Sequence, residues 1–364
     1  MDNVTNNLTV VNVVDFEGYE EAWDYIVENA PQAWCWHTRA WHSFIKSASE
    51  KMNFQDHSFF VLKNHEPICL VLMTICDVQY ENGVTREASY YGGPLPWPCA
   101  LVDEVAVEKY GIEEAERRAR RLGAGRISFL SSSPSVKLRR DEWFDPVLVA
   151  LGYMDISYDS HLAVVDEKLL GNVRKTYRKE VARNTKNIET KIIRGSSISE
   201  ELTNIYLDLH VKDAGGQFRS YESYRLQTNL AKQGEGFFVV ASEKLSKKVV
   251  GMLLISVVKG AAYDNSVAVD PVFQEACVSH ILKWRAIEEL VDMGISHYEL
   301  GMIFNAPKIN FIPSANQRGI SFFKSGWSRD ISKKVFVAEK CLDMPSFDML
   351  MDRRKMAISN LFKL

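Results

Sequence analysis

Apolar residues recur along this chain at two spacings, and the alternation between the two predicts an α/β protein. Helical spacing, with apolar positions returning every three or four residues, runs through Gly18–Ala30, which Pro31 ends. It runs on through Ala33–Ala48, where Thr38 is a candidate N-cap and Trp41, Phe44, Ile45 and Ala48 share a face. It returns in Val102–Leu122, Asn172–Ile188, Ile198–Ala214, Tyr221–Lys232, Glu275–Met293 and Pro345–Leu364. Extended runs rich in β-branched and aromatic residues lie between the helices. They are Ser58–Leu62 and Pro67–Val78, paired as a hairpin about Asn64-His65-Glu66, then Thr85–Tyr91, Arg126–Ser131, Asp155–Val165, Phe237–Ser242 and Val249–Val258. Ala262–Val269, Ile295–Leu300, Gly326–Asp330 and Val335–Glu339 complete the set, and Asn305–Ser325 reads as a loop with a short helix.

The stretch Gly260–Gly301 organises the rest. Asp270-Pro271 stops its first strand, because proline donates nothing to a sheet ladder. Val278, Ile281, Leu282, Ala286, Leu290 and Met293 then form one helical face, Gly294 closes the helix, and a second strand follows. The same order of strand, Pro-bearing loop, helix, glycine and strand occurs earlier, from Tyr90 through the helix before Gly123 to Arg126–Ser131. This weak repeat predicts two related α/β domains.

Composition narrows the classes. At 364 residues, with 46% hydrophobic and 25% charged residues, the chain suits a globular protein of two domains. No apolar run approaches the roughly 20 residues of a membrane helix, and the polar N-terminus lacks the basic and apolar regions of a signal peptide. The six cysteines form no C-x-x-C pair and no His cluster accompanies them, which predicts reduced thiols, no metal site and a cytoplasmic protein. A net charge of −3 argues against a dedicated DNA binder. Locally the picture reverses: Asn172–Ile188 carries Arg174, Lys175, Arg178, Lys179, Arg183 and Lys186 against the single acid Glu180, a stripe suited to phosphate groups. The loop Tyr90-Tyr91-Gly92-Gly93-Pro94-Leu95-Pro96-Trp97-Pro98 concentrates aromatics, glycines and prolines, and with His37 and Trp41 it is a candidate ligand surface.

The basic helix RKTYRKEVARNTK, the run LKWRAIEELVDMGISHYELG and the late GISFFKSGW, with Trp36-His37-Thr38, Trp41 and Gly93-Pro94 earlier, together resemble the FemABX-type branch of the GNAT acyltransferases. The likeness spans most of the chain and is strongest from Asn172 to Trp327; Glu299 stands where that branch often has aspartate. The resemblance implies two tandem GNAT-like domains, 1–165 and 166–342, each a mixed twisted sheet flanked by helices. The helix 343–364 would pack back, with the N-terminal domain as its candidate partner. It implies acyl transfer onto an amine, with no permanently bound cofactor and acyl-CoA as co-substrate. The helix after Pro271 would receive the CoA pyrophosphate at its N-terminus. Gln274, Cys277 and Ser279 match the family loop Q/R-x-x-G-x-G/A in spacing, although both glycines are replaced.

The acceptor expected from this likeness is a nucleotide-linked amino sugar of surface-glycan synthesis, and the enzyme a transferase of groups other than amino-acyl groups. The acidic balance disfavours tRNA. An aminoacyl-tRNA-dependent cell-wall transferase and a non-catalytic nucleotide-sugar binding module stand as alternatives, and an oligomer remains open. Asp264 or Glu299 is the candidate base or amine-positioning group, Lys324 the candidate charge donor, and backbone N–H groups at a strand bulge the candidate oxyanion donors. Tyr263 and Tyr298 are possible acids. His37, Trp41, Tyr90, Tyr91, Gly93, Arg174, Lys175 and Arg178 are the candidate substrate-binding residues.

Overall fold

A computed structural model describes residues 7–80, 83–102, 105–131, 150–304, 312–328 and 332–361. These fall into two compact units, and the seam after Tyr158 compares with the 165 read from the sequence. Among the described residues, no helix is long and apolar enough to cross a membrane.

The first unit takes the described residues of Met1–Tyr158, Phe304–Ser314 and Lys334–Leu364. A smaller sheet orders Leu8–Asn12, Phe59–Lys63, Glu66–Val71 and Cys99–Ala100 as antiparallel neighbours. A larger one runs from Ser332–Cys341 through Arg126–Ser131, Gly83–Ala88 and Thr74–Tyr80 to Gln55–Asp56. The single strand expected over Pro67–Val78 is therefore two strands. It breaks at Leu72-Met73, inside the apolar run Ile68–Met73, and its halves enter different sheets, a change of partner that such a run does not record. The C-terminal helix Met344–Leu361 sits in this unit. Its Arg353 guanidinium lies 3.7 Å over the Tyr80 ring, and its Met349 Sδ accepts from Thr85 Oγ1. Half-buried Arg126 pairs with the buried Glu87 and Glu339 carboxylates.

The second unit takes the described residues of Asp159–Ile303 and Ala315–Lys333. Its mixed sheet runs Ile188–Ile193, Gly236–Glu243, Val249–Val258, Ala261–Val269, His297–Ile303 and Tyr158–Val164. Every neighbouring pair is antiparallel except Ala261–Val269 with His297–Ile303, the two strands joined by the crossover helix. Alternate side chains of each strand point to opposite faces. Phe237, Val239, Leu253 and Ile255 therefore pack with the crossover helix Val278–Asp292, and Phe238, Val240, Met252 and Leu254 pack with Glu200–Ala214 and Tyr221–Lys232.

Three local expectations change. The basic helix is Lys175–Asn184, preceded by a separate turn at Leu169–Asn172, and Ile188 opens an edge strand instead of ending the helix. A 3₁₀ turn, Pro271–Ala276, precedes the crossover helix. Gly326–Ser328 is not a strand, and 329–331 lie outside the described residues, as do 305–311 of the expected loop.

Candidate active site

Strand Ala261–Val269 is irregular at its centre. Its register against Val249–Val258 passes from Ile255↔Asp264 to Leu254↔Ser266, so Asn265 is an extra residue, a β-bulge. On its other edge it pairs with His297–Ile303 over only three residues, Ala261↔His297, Ala262↔Tyr298 and Tyr263↔Glu299. The parallel ladder thus ends where the bulge begins. Backbone groups from Asp264 onward are released from that ladder at one place, and Glu299 is a member of the last pair.

A buried cluster of ionisable side chains gathers around this point. Asp264 forms an ion pair with Lys283 of the crossover helix, the two side chains being 8% and 4% exposed. Glu299 is 3% exposed and its Oε1 accepts from Ser160 Oγ at 2.8 Å. Lys324, the last residue of the helix Ala315–Lys324, donates to Met302 O at 3.0 Å. Burial pulls the Lys324 ammonium down to about 8, with Glu299 opposing. Gly301 makes room for it. A Cβ at that residue would stand 3.2 Å from Lys324 Nζ and 3.9 Å from the Tyr263 hydroxyl, and its φ of +82° is one that suits glycine. His161, opposite Gly301, is held down to about 4 by burial and by Lys324. Burial raises Tyr298, so its phenol stays protonated.

A second polar network braces the bulge from the other face. Asn265 donates to Ser256 Oγ at 2.8 Å and accepts from Gln227 Nε2 at 2.9 Å, and Gln227 accepts from Arg219 at 3.0 Å. His210 Nε2 lies 3.0 Å from Ser266 Oγ. With both the nitrogen and the oxygen of the Asn265 amide bonded in this network, the bulge is a built feature of the strand.

The structure brings together the three sequence-predicted catalytic residues, Asp264, Glu299 and Lys324, within one unit. It adds Lys283, Ser160, His161 and Asn265, which sequence reasoning missed. Gln274, Cys277 and Ser279 fall together on the turn into the crossover helix. Cys277 takes the left-handed conformation, φ +49°, that the family glycine would favour, so the turn survives without glycine. The Cys277 Sγ contacts the Glu180 carboxylate at 3.8 Å, and burial with that carboxylate raises its thiol pKa. Lys175 and Arg178 are exposed on the basic helix. Arg174 is tied down: it bonds Tyr177 Oη at 2.8 Å and stacks 3.9 Å over the Phe322 ring.

In the first unit, His37 bridges backbone groups. Its Nδ1 accepts from the Trp34 N–H at 3.0 Å and its Nε2 donates to Trp97 O at 2.8 Å, which is a packing role. Trp41 is buried edge-on to Trp36 and Phe44. Tyr90 is buried, with its hydroxyl 3.1 Å from His42 Nδ1, and His42 in turn pairs with Asp56 at 2.7 Å. Tyr90 and Gly93 exchange two backbone hydrogen bonds, and the turn between them presents Tyr91, 40% exposed, at φ +55°.

No protein-family profile and no curated protein matches the sequence. Solved structures do match along nearly its whole length. FemX aligns with a TM-score of 0.65 at 13% identity, covering 91% of this chain and 98% of its own. L-PGS from Bacillus licheniformis aligns at 0.60 and 12% identity, covering 92% and 96%. A tandem GNAT protein from the clavulanic acid biosynthesis pathway aligns at 0.54 and 10%, covering 93% and 98%. At these identities the likeness is one of fold. The chain has the FemABX-like, tandem GNAT fold.

Proposed function

We propose that the second unit transfers an acyl group from the thioester of acyl-CoA to the primary amine of a nucleotide-linked amino sugar, as in the synthesis of a surface glycan. The observation that carries this reading is the parallel ladder that stops at a braced bulge with Glu299 and Lys324 at its end. Aminolysis of a thioester needs an acceptor for the amine proton, donors for the oxyanion and an acid for the departing thiolate. Asp264 is held in an ion pair with Lys283, and Glu299, which stands in the last pair of the parallel ladder and accepts from Ser160 Oγ, is the acid assigned to the amine. The amine nitrogen attacks the carbonyl carbon, the C–N bond forms, and the amine proton passes to Glu299. Backbone N–H groups of the bulge receive the oxyanion. The C–S bond then breaks and Lys324 gives its proton to the thiolate. A lysine near 8 matches an ordinary thiol near 8.5 closely enough for that exchange in either direction. Proton return from Glu299 to Lys324 restores both groups.

The exposed Lys175 and Arg178 supply cations for the phosphates of either substrate. A second reading, an aminoacyl-tRNA donor, draws on two observations: the Glu180 carboxylate beside the would-be pyrophosphate turn, and the length of the exposed basic stripe. The test is a screen of amino-sugar nucleotides against short acyl-CoAs, with released thiol and acylated product both read by mass spectrometry. One N-acylated product per thiol supports the proposal. Turnover only with aminoacyl-tRNA, abolished by ribonuclease, transfers it to the second reading. No turnover with either donor leaves a binding module.

A further inference from the structure

Gln227 is a polar side chain in the middle of the helix Tyr221–Lys232, and it is only 3% exposed. An amide buried there is costly unless both of its ends are bonded. Its Oε1 accepts from Arg219 Nη2 at 3.0 Å and its Nε2 donates to Asn265 Oδ1 at 2.9 Å. Asn265 Nδ2 donates in turn to Ser256 Oγ at 2.8 Å. The direction of this chain is set at one end. A guanidinium only donates, so the oxygen of Gln227 must face Arg219 and its nitrogen must face Asn265. Asn265 then has to present its oxygen to Gln227 and its nitrogen to Ser256. The Ser256 hydroxyl can donate or accept, and it is the one member able to reverse. Arg219 is itself held, with its guanidinium carbon 4.3 Å over the Tyr224 ring.

The neighbouring residue Asp264 is bound from the other face of the sheet, by Lys283 of the crossover helix. Two helices therefore pin two successive residues of the bulged strand. We propose that Gln227 is a positioning residue for the transfer site: through the one-way chain from Arg219 to Ser256 it fixes the bulge, and with the bulge the backbone N–H groups that receive the oxyanion. The inference rests on the reading of the bulge as the oxyanion site.

The polarity of the chain separates this role from simple packing. Gln227→Met keeps most of the volume and removes both hydrogen bonds. Gln227→Glu keeps the bond from Arg219, now charge-assisted, but cannot donate to Asn265. Asn265 then turns its nitrogen to the carboxylate and accepts from the Ser256 hydroxyl, so the chain survives in the reverse sense. Positioning by hydrogen bonds therefore makes Gln227→Met harmful and Gln227→Glu tolerated. Packing alone makes Gln227→Met neutral and the buried charge of Gln227→Glu harmful.

The experiment is ¹⁵N NMR of the full chain, with Asn265→Asp identifying the Asn265 side-chain amide. In Gln227→Met that amide should exchange with water about fivefold faster or more, and in Gln227→Glu at nearly the wild-type rate. An unchanged rate in Gln227→Met, or an equal gain in both variants, overturns the proposal. Should Gln227→Met not fold, Arg219→Leu releases the same chain from its other end, and an unchanged Asn265 rate there overturns the proposal equally. Turnover on the same samples should show a lower kcat for Gln227→Met at nearly constant KM, recovered in Gln227→Glu; faster Asn265 exchange with kcat unchanged overturns the positioning role. No turnover in wild type counts against the transferase reading, whereas the NMR result judges the chain without substrate.

Discussion

Acidification should weaken this protein through His161, and the size of the effect follows from where the ring sits. His161 is 5% exposed in the strand beside His297–Ile303, and burial together with Lys324 moves it from 6.5 to about 4. The folded value is the lower one. Between pH 6.5 and 4 the unfolded chain therefore binds a proton that the native ring refuses, and stability falls as pH falls through that window. A gap of about 2.5 pH units at 1.36 kcal/mol each amounts to roughly 3 kcal/mol, nearly all of it lost by pH 4. His210, held near 4 by burial and Arg219, adds a loss of the same sign. The informative quantity is thus the difference between wild type and His161→Gln in urea unfolding, measured at pH 7 and again near pH 4. The variant should retain roughly 3 kcal/mol of what wild type loses. Identical pH dependence in the two proteins would refute the burial of His161 against Lys324, and with it the packing of the candidate site.

Three further outcomes follow from the same geometry. Glu299→Gln should cut turnover by about a hundredfold or more with little change in KM, as expected for a lost proton acceptor, whereas Asp264→Asn should act mainly on folding stability; equal turnover losses in steady-state assays would count against the division of roles. Gly301→Ala should cost about 1–2 kcal/mol by forcing a side chain into a left-handed backbone and should also depress activity by displacing Lys324; a thermal melt and a rate on the same sample check both. Replacing Lys175 and Arg178 together by Gln should raise KM for the phosphate-bearing substrate and flatten its dependence on salt, with kcat nearly unchanged; an unaltered salt dependence would place the phosphates elsewhere.

Much of this fold was legible in the sequence because the crossover advertises itself. Pro271 stops a strand, a helical apolar face follows, and Gly294 at φ +69° ends the helix as its position implied. The order of strand, helix and strand in the second half, and the mixed sheet, are what the structure shows. The bulge at Asn265 was not legible, because a bulge is defined by the register of its neighbour Val249–Val258 and not by residues at its own position. Lys283 was missed for a related reason. A lysine between apolar helix positions reads as solvent-facing, and only the pairing with Asp264, 19 positions earlier, makes its burial affordable. His37 looked like a ligand-facing histidine among tryptophans. Its two ring nitrogens are met instead by the backbone of Trp34 and Trp97, contacts that no local pattern announces. The acids Asp264 and Glu299 were both visible, but their different circumstances, one in an ion pair and one against Ser160, are properties of the fold alone.

The central claim is that Glu299 and Lys324 serve a transfer of an acyl group to nitrogen. It is tested most directly by the mass spectrum of a single reaction containing acyl-CoA, an amino-sugar nucleotide and either wild-type protein or Glu299→Gln. The account predicts an amide-linked product from wild type, one for each CoA released, and its near-absence from a Glu299→Gln protein that melts as wild type does. Full product from Glu299→Gln, or CoA released from wild type with the amine left unmodified, would contradict it.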